Sequence, residues 1–252
     1  MSASSRPSLS VVVLCYRAGD SARARVRELE EALRTGGIED FQLVLVGNYI
    51  EGSDDPTPAV VRDLAAADPR VVCTAVAKRG WMGWDLRTGL ALAGGEVIGF
   101  LDGDGQNLAE DVPRLHHLLL EEGLDLVKTV RRRRGDGWRR RWLSIFYNAL
   151  FRLLFPRVAA RDINAKPKLM TRAAYERLEL AADDWFIDAE IMIQAARVGL
   201  RVGELETDFL PLEGRASFVG PRAMAEFLAN LFRYRLRELR RRVDRPALPP
   251  RR

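Results

Sequence analysis

Cysteine is scarce in this 252-residue chain, and long apolar runs are absent. Its two cysteines, Cys15 and Cys73, lie inside apolar runs typical of strands, so nothing indicates a disulfide framework and we expect a reducing compartment. The first residues, MSASSRPS, lack the apolar core of a signal peptide. No apolar run reaches the roughly 20 residues that a membrane-spanning helix needs. We therefore expect a cytoplasmic protein that is either soluble or peripheral at a membrane.

Two common binding patterns are also missing. No Gly-X-Gly-X-X-Gly follows the first predicted strand, which argues against a nicotinamide-binding Rossmann enzyme. The basic residues do not alternate with aromatic residues and no nucleic-acid motif occurs, so we expect no nucleic-acid partner. The net charge of +5 is concentrated in a few places, which indicates anionic partners there. A non-catalytic basic protein that binds membranes or nucleic acid remains an alternative.

The fold class follows from the alternation of two kinds of segment. Apolar, β-branched runs predict strands over residues 9–15, 41–46, 71–77, 96–101 and 124–130. Helical periodicity predicts helices between them over residues 21–34, 58–67, 85–93 and 110–120. This order predicts an α/β fold with a mainly parallel sheet and helices on both faces.

The fourth predicted strand ends in Asp102-Gly-Asp104-Gly-Gln106. Ligands of open α/β sheets bind at the carboxyl ends of the strands, and carboxylate and amide oxygens suit hard cations. These residues predict a Mg²⁺ or Mn²⁺ site that faces a phosphate-bearing substrate. The alternative is a polar turn, because Asp-Gly is also common turn chemistry.

A basic run and an apolar segment follow the fifth predicted strand. Residues 131–141 read RRRRGDGWRRR, and residues 142–155 read WLSIFYNALFRLLF. The strongly polar residues of the second segment, Ser144, Asn148 and Arg152, are four apart and would form one narrow helical stripe. A helix of about 21 Å is too short to span a bilayer but can lie in its interface, beside arginines that bind anionic headgroups. The alternative is a helix buried in the core.

Two further helices are predicted towards the C-terminus. Residues 184–198 read as a helix that Gly199 ends, and residues 221–242 as a helix that begins at Pro221 and leads into a basic tail. We therefore divide the chain into a main α/β domain, residues 1–220, and a C-terminal helix with its tail, residues 221–252.

Taken together and in order, these motifs resemble glycosyltransferase family 2. The resemblance extends from about residue 9 to residue 217 and is greatest to the polyprenyl-phosphate sugar synthases of the dolichyl-phosphate mannose synthase type. It rests on Asp102-Gly-Asp104-Gly-Gln106, on the arginine-rich segment with its apolar helix, on Asp162-Ile-Asn-Ala-Lys-Pro-Lys168 and on Trp185-Phe-Ile-Asp188-Ala-Glu190. It implies the nucleotide-binding GT-A fold with interfacial amphipathic helices.

The resemblance also implies a reaction. A metal-dependent, inverting glycosyltransferase would move a sugar from a nucleoside-diphosphate donor to a polyprenyl-phosphate carrier at the cytoplasmic membrane face. Mg²⁺ or Mn²⁺ would be bound by Asp102, Asp104 and Gln106. Membrane attachment would depend on an amphipathic surface, on charge or on a separate anchoring protein. A saccharide hydroxyl as acceptor is the alternative.

Donor-binding residues are carried over from the family position by position. Asn48 stands where the family has an aspartate that contacts the base, and Arg215 is expected to replace the charge of a family lysine, because Phe218 occupies that position. Asp85 is either a donor-site residue or a charge that the helix dipole favours. The complete predicted set is Tyr16, Asn48, Gly80, Asp85, Asp102, Arg131, Lys168 and Arg215.

Asp162 and Asp188 are the predicted catalytic carboxylates. The second pKa of a lipid monophosphate is about 6, so such an acceptor is already ionised and needs little help from a base. Asp162 would then orient groups or hold Lys168. With a hydroxyl acceptor, Asp162 or Asp188 would act as the base. Glu190 lies about 200° around the helix from Asp188, so we expect it to be structural or solvated.

Overall fold

A computed structural model describes residues 6–132, 149–210 and 228–236 of the chain. Within these ranges seven strands form one sheet in the order β3-β2-β1-β4-β6-β5-β7. Every neighbouring pair is parallel except the two pairs that include β6. The strands are β1 (Leu9–Leu14), β2 (Phe41–Val46), β3 (Val71–Thr74), β4 (Val97–Asp102), β5 (Leu126–Arg131), β6 (Lys168–Thr171) and β7 (Val202–Thr207).

Helices cover both faces of the sheet, as predicted. The helices are α1 (Ser21–Thr35), α2 (Thr57–Ala67), α3 (Met82–Leu90), α4 (Asp111–Glu121), α5 (described over residues 149–154), α6 (Arg172–Tyr175), α7 (Ile187–Val198) and α8 (described over residues 228–236). One apolar core joins β-strand side chains to α1, α2 and α4, and a second joins the alternate strand side chains to α3, α5 and α7.

The five predicted strands are present, although β3 ends at Thr74 and not at residue 77, and two strands were missed. β6 is only four residues long and begins with a lysine. β7 reads VGELET, in which two glutamates mask the apolar pattern of a strand. Both are recognisable only from their hydrogen-bonded neighbours.

The ends of α3 and α7 differ from the prediction. α3 begins at Met82, three residues early, because the amide groups of Trp81 and Gly83 donate to the carbonyls of Asp183 and Asp184, at 2.7 and 3.0 Å. α7 begins at Ile187 rather than Asp184, whose side chain accepts from the amide of Phe186 at 2.8 Å. Gly199 ends α7 with a left-handed φ of 71°, as predicted.

Much of the predicted basic run and interfacial helix lies outside the described residues, including Ser144 and Asn148. The described part of α5 is two-sided, since Phe151 is buried in the core whereas Leu153 is 77% exposed. α8 packs on the same core through the buried Leu231. No helix within the described ranges has the length and apolarity needed to cross a membrane.

Gly83 provides a test of the contact between α3 and the segment before α7. A Cβ atom on Gly83 would lie 2.4 Å from the carbonyl oxygen of Ala182, which is backbone and cannot turn away. We expect Gly83→Ala to lower the free energy of unfolding by about 2 kcal/mol. Gly94→Ala is the control, because its Cβ would meet nothing closer than 3.7 Å. Denaturant unfolding of both variants measures the difference, and equal stabilities would contradict the packing described.

Candidate active site

Strand β6 brings two lysines to the carboxyl edge of the sheet. Because β6 runs antiparallel to β4 and β5, its beginning lies beside their carboxyl ends. Lys166 just before β6 and Lys168 at its first residue therefore lie near Asp102, the last residue of β4. The structure thus brings together Asp102 and Lys166, which are 64 positions apart in sequence.

Four charged side chains form an ionic cluster at this edge. Lys166 Nζ lies 3.0 Å from Asp102 Oδ2 and 3.3 Å from Asp188 Oδ2. Lys168 Nζ pairs with the other oxygen of Asp188 and donates to the carbonyl of Ala165 at 2.8 Å. Asp188 and both lysines are buried, whereas 32% of the Asp102 side chain is exposed. Asp102 is therefore the member of the cluster that a ligand can reach.

The cluster shifts the pKa values of its buried members. Burial alone would raise the pKa of Asp188, but the adjacent Lys166 and Lys168 hold it below its usual value. Burial alone would lower the pKa of Lys166, but Asp102 and Asp188 raise it. The pKa of Lys168 is lowered by burial and by the charge of Lys166. Asp188 is thus a weak base bound by two ammonium groups, which suits it to hold the lysines.

Asn107 connects this cluster to the backbone and was missed by sequence reasoning. Its Oδ1 accepts from the amide of Asp102 at 3.2 Å, and its Nδ2 donates to the carbonyl of Lys166 at 3.0 Å. Thr129 Oγ1 donates to the same carbonyl at 2.7 Å. Asn107 is 4% exposed. The sequence signal that could have found it is an amide side chain directly after Asp102-Gly-Asp104-Gly-Gln106.

Both glycines of this motif meet a backbone requirement. A Cβ on Gly103 would lie 2.9 Å from the carbonyl oxygen of Leu14, and Gly105 has a left-handed φ of 80°. The turn that they form lets Asp104 accept from the amide of Gln106 at 3.1 Å. Gln106 Nε2 donates to the carbonyl of Leu210 at 3.1 Å, which connects the turn to the chain after β7.

The available side chains fit a cation that is coordinated by the protein and by a substrate together. Among the described residues, no group of three or more His, Cys, Asp or Glu side chains could hold a metal by itself. Asp102 and Asp104 are two carboxylates on one turn. Mg²⁺ is commonly bound by one or two carboxylates, with phosphate oxygens and water completing its coordination, and Mn²⁺ favours the same ligands.

Asn48 and Asp85 form a second polar group, at the end of β2 and the start of α3. The Asn48 amide donates to Asp85 at 3.1 Å and to Thr88 at 3.0 Å, and its oxygen accepts from Thr74 and from the amide of Val76, both at 3.1 Å. All four hydrogen bonds of this amide are thus made within the protein. Asn48 thus helps to position Asp85, and its contact with the base stays a prediction.

Asp85 is buried and pairs with Lys78. Burial raises the pKa of Asp85, although Lys78 and Asn48 oppose this. Lys78 Nζ lies 4.2 Å from the centre of the Tyr16 ring, so Tyr16 belongs to the same group. Gly80 follows on this loop, and a Cβ atom added to it would lie 2.9 Å from the carbonyl oxygen of Asp183.

Asp162 binds Arg131 and not Lys168, which corrects the predicted role of holding Lys168, whereas its other predicted roles stay predictions. The Arg131 guanidinium makes two bonds of 2.7 Å, from Nε to Asp162 Oδ2 and from Nη2 to Asp162 Oδ1. Asp162 has a left-handed φ of 43°. Lys168 lies elsewhere because its side chain extends over Phe100 towards α7, where Asp188 lies in the first turn of the helix. Arg215 lies outside the described residues.

Glu190 has the structural role that was one of its two predicted roles, and it is not solvated. It is 3% exposed and accepts from the amides of Ala181 and Ala182 at 2.9 and 2.8 Å. It therefore holds the segment that contacts α3.

Lys128 is a third buried lysine, and the sequence did not reveal it because it lies inside β5. It is directly opposite Lys168 in the sheet. Its Nζ donates to the carbonyls of Thr129 and Arg161, both at 2.7 Å, and lies 3.6 Å from Glu204. Burial, with the nearby charge of Lys168, lowers the pKa of Lys128 to about 8.

Comparison with known proteins identifies similar sequences. Residues 10–178 match the family model for glycosyl transferase family 2. Glycosyltransferase AglD of Haloferax volcanii is 32% identical over 212 residues, which are 81% of this chain and 33% of AglD. Undecaprenyl-phosphate 4-deoxy-4-formamido-L-arabinose transferase of Pseudomonas syringae is 33% identical over 141 residues, 56% of this chain and 40% of that enzyme. The chain thus spans a third to two fifths of these relatives.

Solved structures share the fold. Mannosyl-3-phosphoglycerate synthase from Rubrobacter xylanophilus superposes with a TM-score of 0.70 at 18% identity, covering 96% of this chain and 79% of its own. Glucosyl-3-phosphoglycerate synthase from Mycobacterium tuberculosis, in complex with Mn²⁺, uridine diphosphate and glucosyl-3-phosphoglycerate, gives a TM-score of 0.66 at 20% identity, covering 96% and 81%. The mixed α/β sheet with flanking helices is therefore the GT-A fold, as predicted.

The lowered pKa of Lys128 predicts how stability depends on pH. The unfolded chain binds this proton up to pH 10.5 and the folded chain only up to about pH 8, so the free energy of unfolding rises between those values. We expect the free energy of unfolding of wild type to rise by about 2 kcal/mol relative to that of Lys128→Met from pH 7 to pH 10. Urea unfolding at each pH measures it. Val127→Ala, a neutral change in the same strand, should give the same difference at every pH, and a flat profile for both variants would contradict the assignment.

Proposed function

The chain belongs to glycosyltransferase family 2, and we propose that it transfers a sugar from a nucleoside-diphosphate donor to the phosphate of a polyprenyl lipid, with inversion at the anomeric carbon. The observation that carries this proposal is the ionic cluster of Asp102, Lys166, Lys168 and Asp188 at the carboxyl edge of the sheet. The name of the Pseudomonas syringae relative supports the carrier lipid, and the ligands of the Mycobacterium tuberculosis structure support a nucleotide donor with Mn²⁺.

The donor diphosphate lies, in this proposal, beside the turn after β4. Asp102 and Asp104, with Gln106 as the third predicted ligand, would hold Mg²⁺ or Mn²⁺, which stabilises negative charge on the departing diphosphate. Arg131, at the end of β5, is the forked cation expected near the phosphates. Tyr16, Gly80 and Asp85 form the nucleotide side of the site, with Asn48 behind Asp85.

The ion pairs of the two predicted catalytic carboxylates favour a phosphate acceptor. Asp162 makes a two-bond pair with Arg131, and Asp188 is bound by Lys166 and Lys168. A saccharide hydroxyl needs a carboxylate that takes its proton, whereas a lipid phosphate arrives already ionised. Asp162 and Asp188 would accordingly position cations rather than abstract a proton.

An amphipathic surface on α5 and α8 would provide peripheral membrane contact. They pack inward at Phe155, the residue after α5, and at Tyr234 of α8, whose ring centres are 6.5 Å apart. Outward they expose Leu153, Phe232 and Leu236, by 77%, 50% and 56%. Exposed apolar side chains beside arginines are typical of surfaces that enter a lipid headgroup region. We propose that this surface holds the site at the cytoplasmic face of the membrane.

Transfer of radiolabelled sugar from a panel of nucleotide sugars to polyprenyl phosphate tests the reaction. We expect metal-dependent label in the organic phase, lost with EDTA, and a decrease of about 100-fold or more in Asp104→Asn, since a lost cation removes several kcal/mol of stabilisation. Asp54→Asn, an exposed loop change, is the control. Parallel reactions contain a saccharide or 3-phosphoglycerate. Label in those products alone would reject the lipid acceptor, and full activity of Asp104→Asn would reject the metal site.

Vesicle binding tests the membrane surface. We expect Leu153→Ser combined with Phe232→Ser to weaken binding to vesicles of anionic phospholipid by about tenfold or more, because two apolar side chains no longer enter the bilayer. Leu120→Ser is the matched control, since Leu120 is 56% exposed on α4, on the other face of the sheet. Sedimentation with vesicles measures the bound fraction. Unchanged binding of the double variant would assign binding to charge alone, and equal losses in the control and the double variant would reject this surface.

A further inference from the structure

Lys166 lies between the proposed cation site and the buried carboxylate of Asp188. Its Nζ is within 3.3 Å of an oxygen of both Asp102 and Asp188, and its side chain is only 7% exposed. We propose that Lys166 is a positioning residue that acts through Asp102: it lowers the affinity of the site for a divalent cation by competing with that cation for the Asp102 carboxylate. The inference rests on the proposed function, because it concerns the same cation site.

The backbone on both sides of this contact is held in place. The carbonyl of Lys166 accepts from Asn107 and from Thr129, at 3.0 and 2.7 Å. Asn107 also accepts from the amide of Asp102 at 3.2 Å. One amide side chain therefore joins the two residues whose charged groups meet. Hydrogen bonds to the backbone of both residues thus hold the Lys166 ammonium group close to Asp102.

Charge determines the direction of the effect. A divalent cation bound to Asp102 would lie a few ångströms from the Lys166 ammonium, and two like charges at that distance repel strongly. Removing the charge of Lys166 should therefore strengthen cation binding. Removing the charge of Asp188 should weaken it, because Lys166 would then be attracted to Asp102 alone.

Lys168 provides a matched control. It is buried in the same segment and pairs with the same Asp188, but the carboxylate it contacts is Asp188 and not Asp102. A general effect of losing a buried lysine would appear in both positions. Competition for Asp102 would appear at Lys166.

The experiment titrates Mn²⁺ alone into the full chain and measures free Mn²⁺ by electron paramagnetic resonance. We expect Lys166→Met to bind Mn²⁺ about tenfold more tightly than wild type, as the repulsion predicts. Lys166→Arg, which keeps the charge, should bind like wild type, and Lys168→Met should stay within about threefold of it. Asp188→Asn should bind more weakly. Circular dichroism establishes that each variant is folded.

Unchanged or weaker Mn²⁺ binding by folded Lys166→Met would overturn the inference, as would an equal gain in Lys168→Met. If Lys166→Met does not fold, Asp188→Asn decides, and unchanged or tighter binding there overturns it. Asp104→Asn separates this inference from the proposed function. Loss of binding in Asp104→Asn with no change in Lys166→Met rejects only the role of Lys166, whereas unchanged binding in Asp104→Asn rejects the cation site and the inference with it.

Discussion

Strand β6 is hydrogen-bonded on both sides, to β4 and to β5, and runs against both of them. In an otherwise parallel sheet this is the one strand, within the described residues, that enters at the carboxyl edge. Its entry carries Lys166 and Lys168 to Asp102 and Asp188. The ionic cluster, the placement of Asn107 and the proposed cation site all depend on this reversal of direction.

The cluster also shows how buried charge is tolerated in this fold. A buried ion loses its hydration, and only close partners compensate for that loss. Lys166 and Lys168 share Asp188, and Lys166 also reaches the partly exposed Asp102. The arrangement leaves an exposed carboxylate at the edge whose position is set by buried groups. Such support from behind is what an orienting site requires.

Carboxylates elsewhere in the site are engaged in the same way. Asp162 holds Arg131, and Asp85 is held by Lys78 and Asn48. These contacts distribute cations around the edge of the sheet and use the carboxylates to fix their positions. A site built in this way suits substrates that bring negative charge with them, which is the common property of a nucleoside diphosphate and a lipid phosphate.

The sequence by itself determined the five parallel strands and the helices between them, because apolar periodicity is a local property of the chain. It also located Asp102 and Asp104, because a strand that ends in Asp-Gly-Asp needs no distant partner to be recognised. Only the tertiary structure decided that Asp188 holds Lys168, that Asp162 holds Arg131 and that Asn48 supports Asp85. Those pairings depend on the direction of β6 and on contacts between residues far apart in the chain, and β6 is too short and too polar at its start to be predicted.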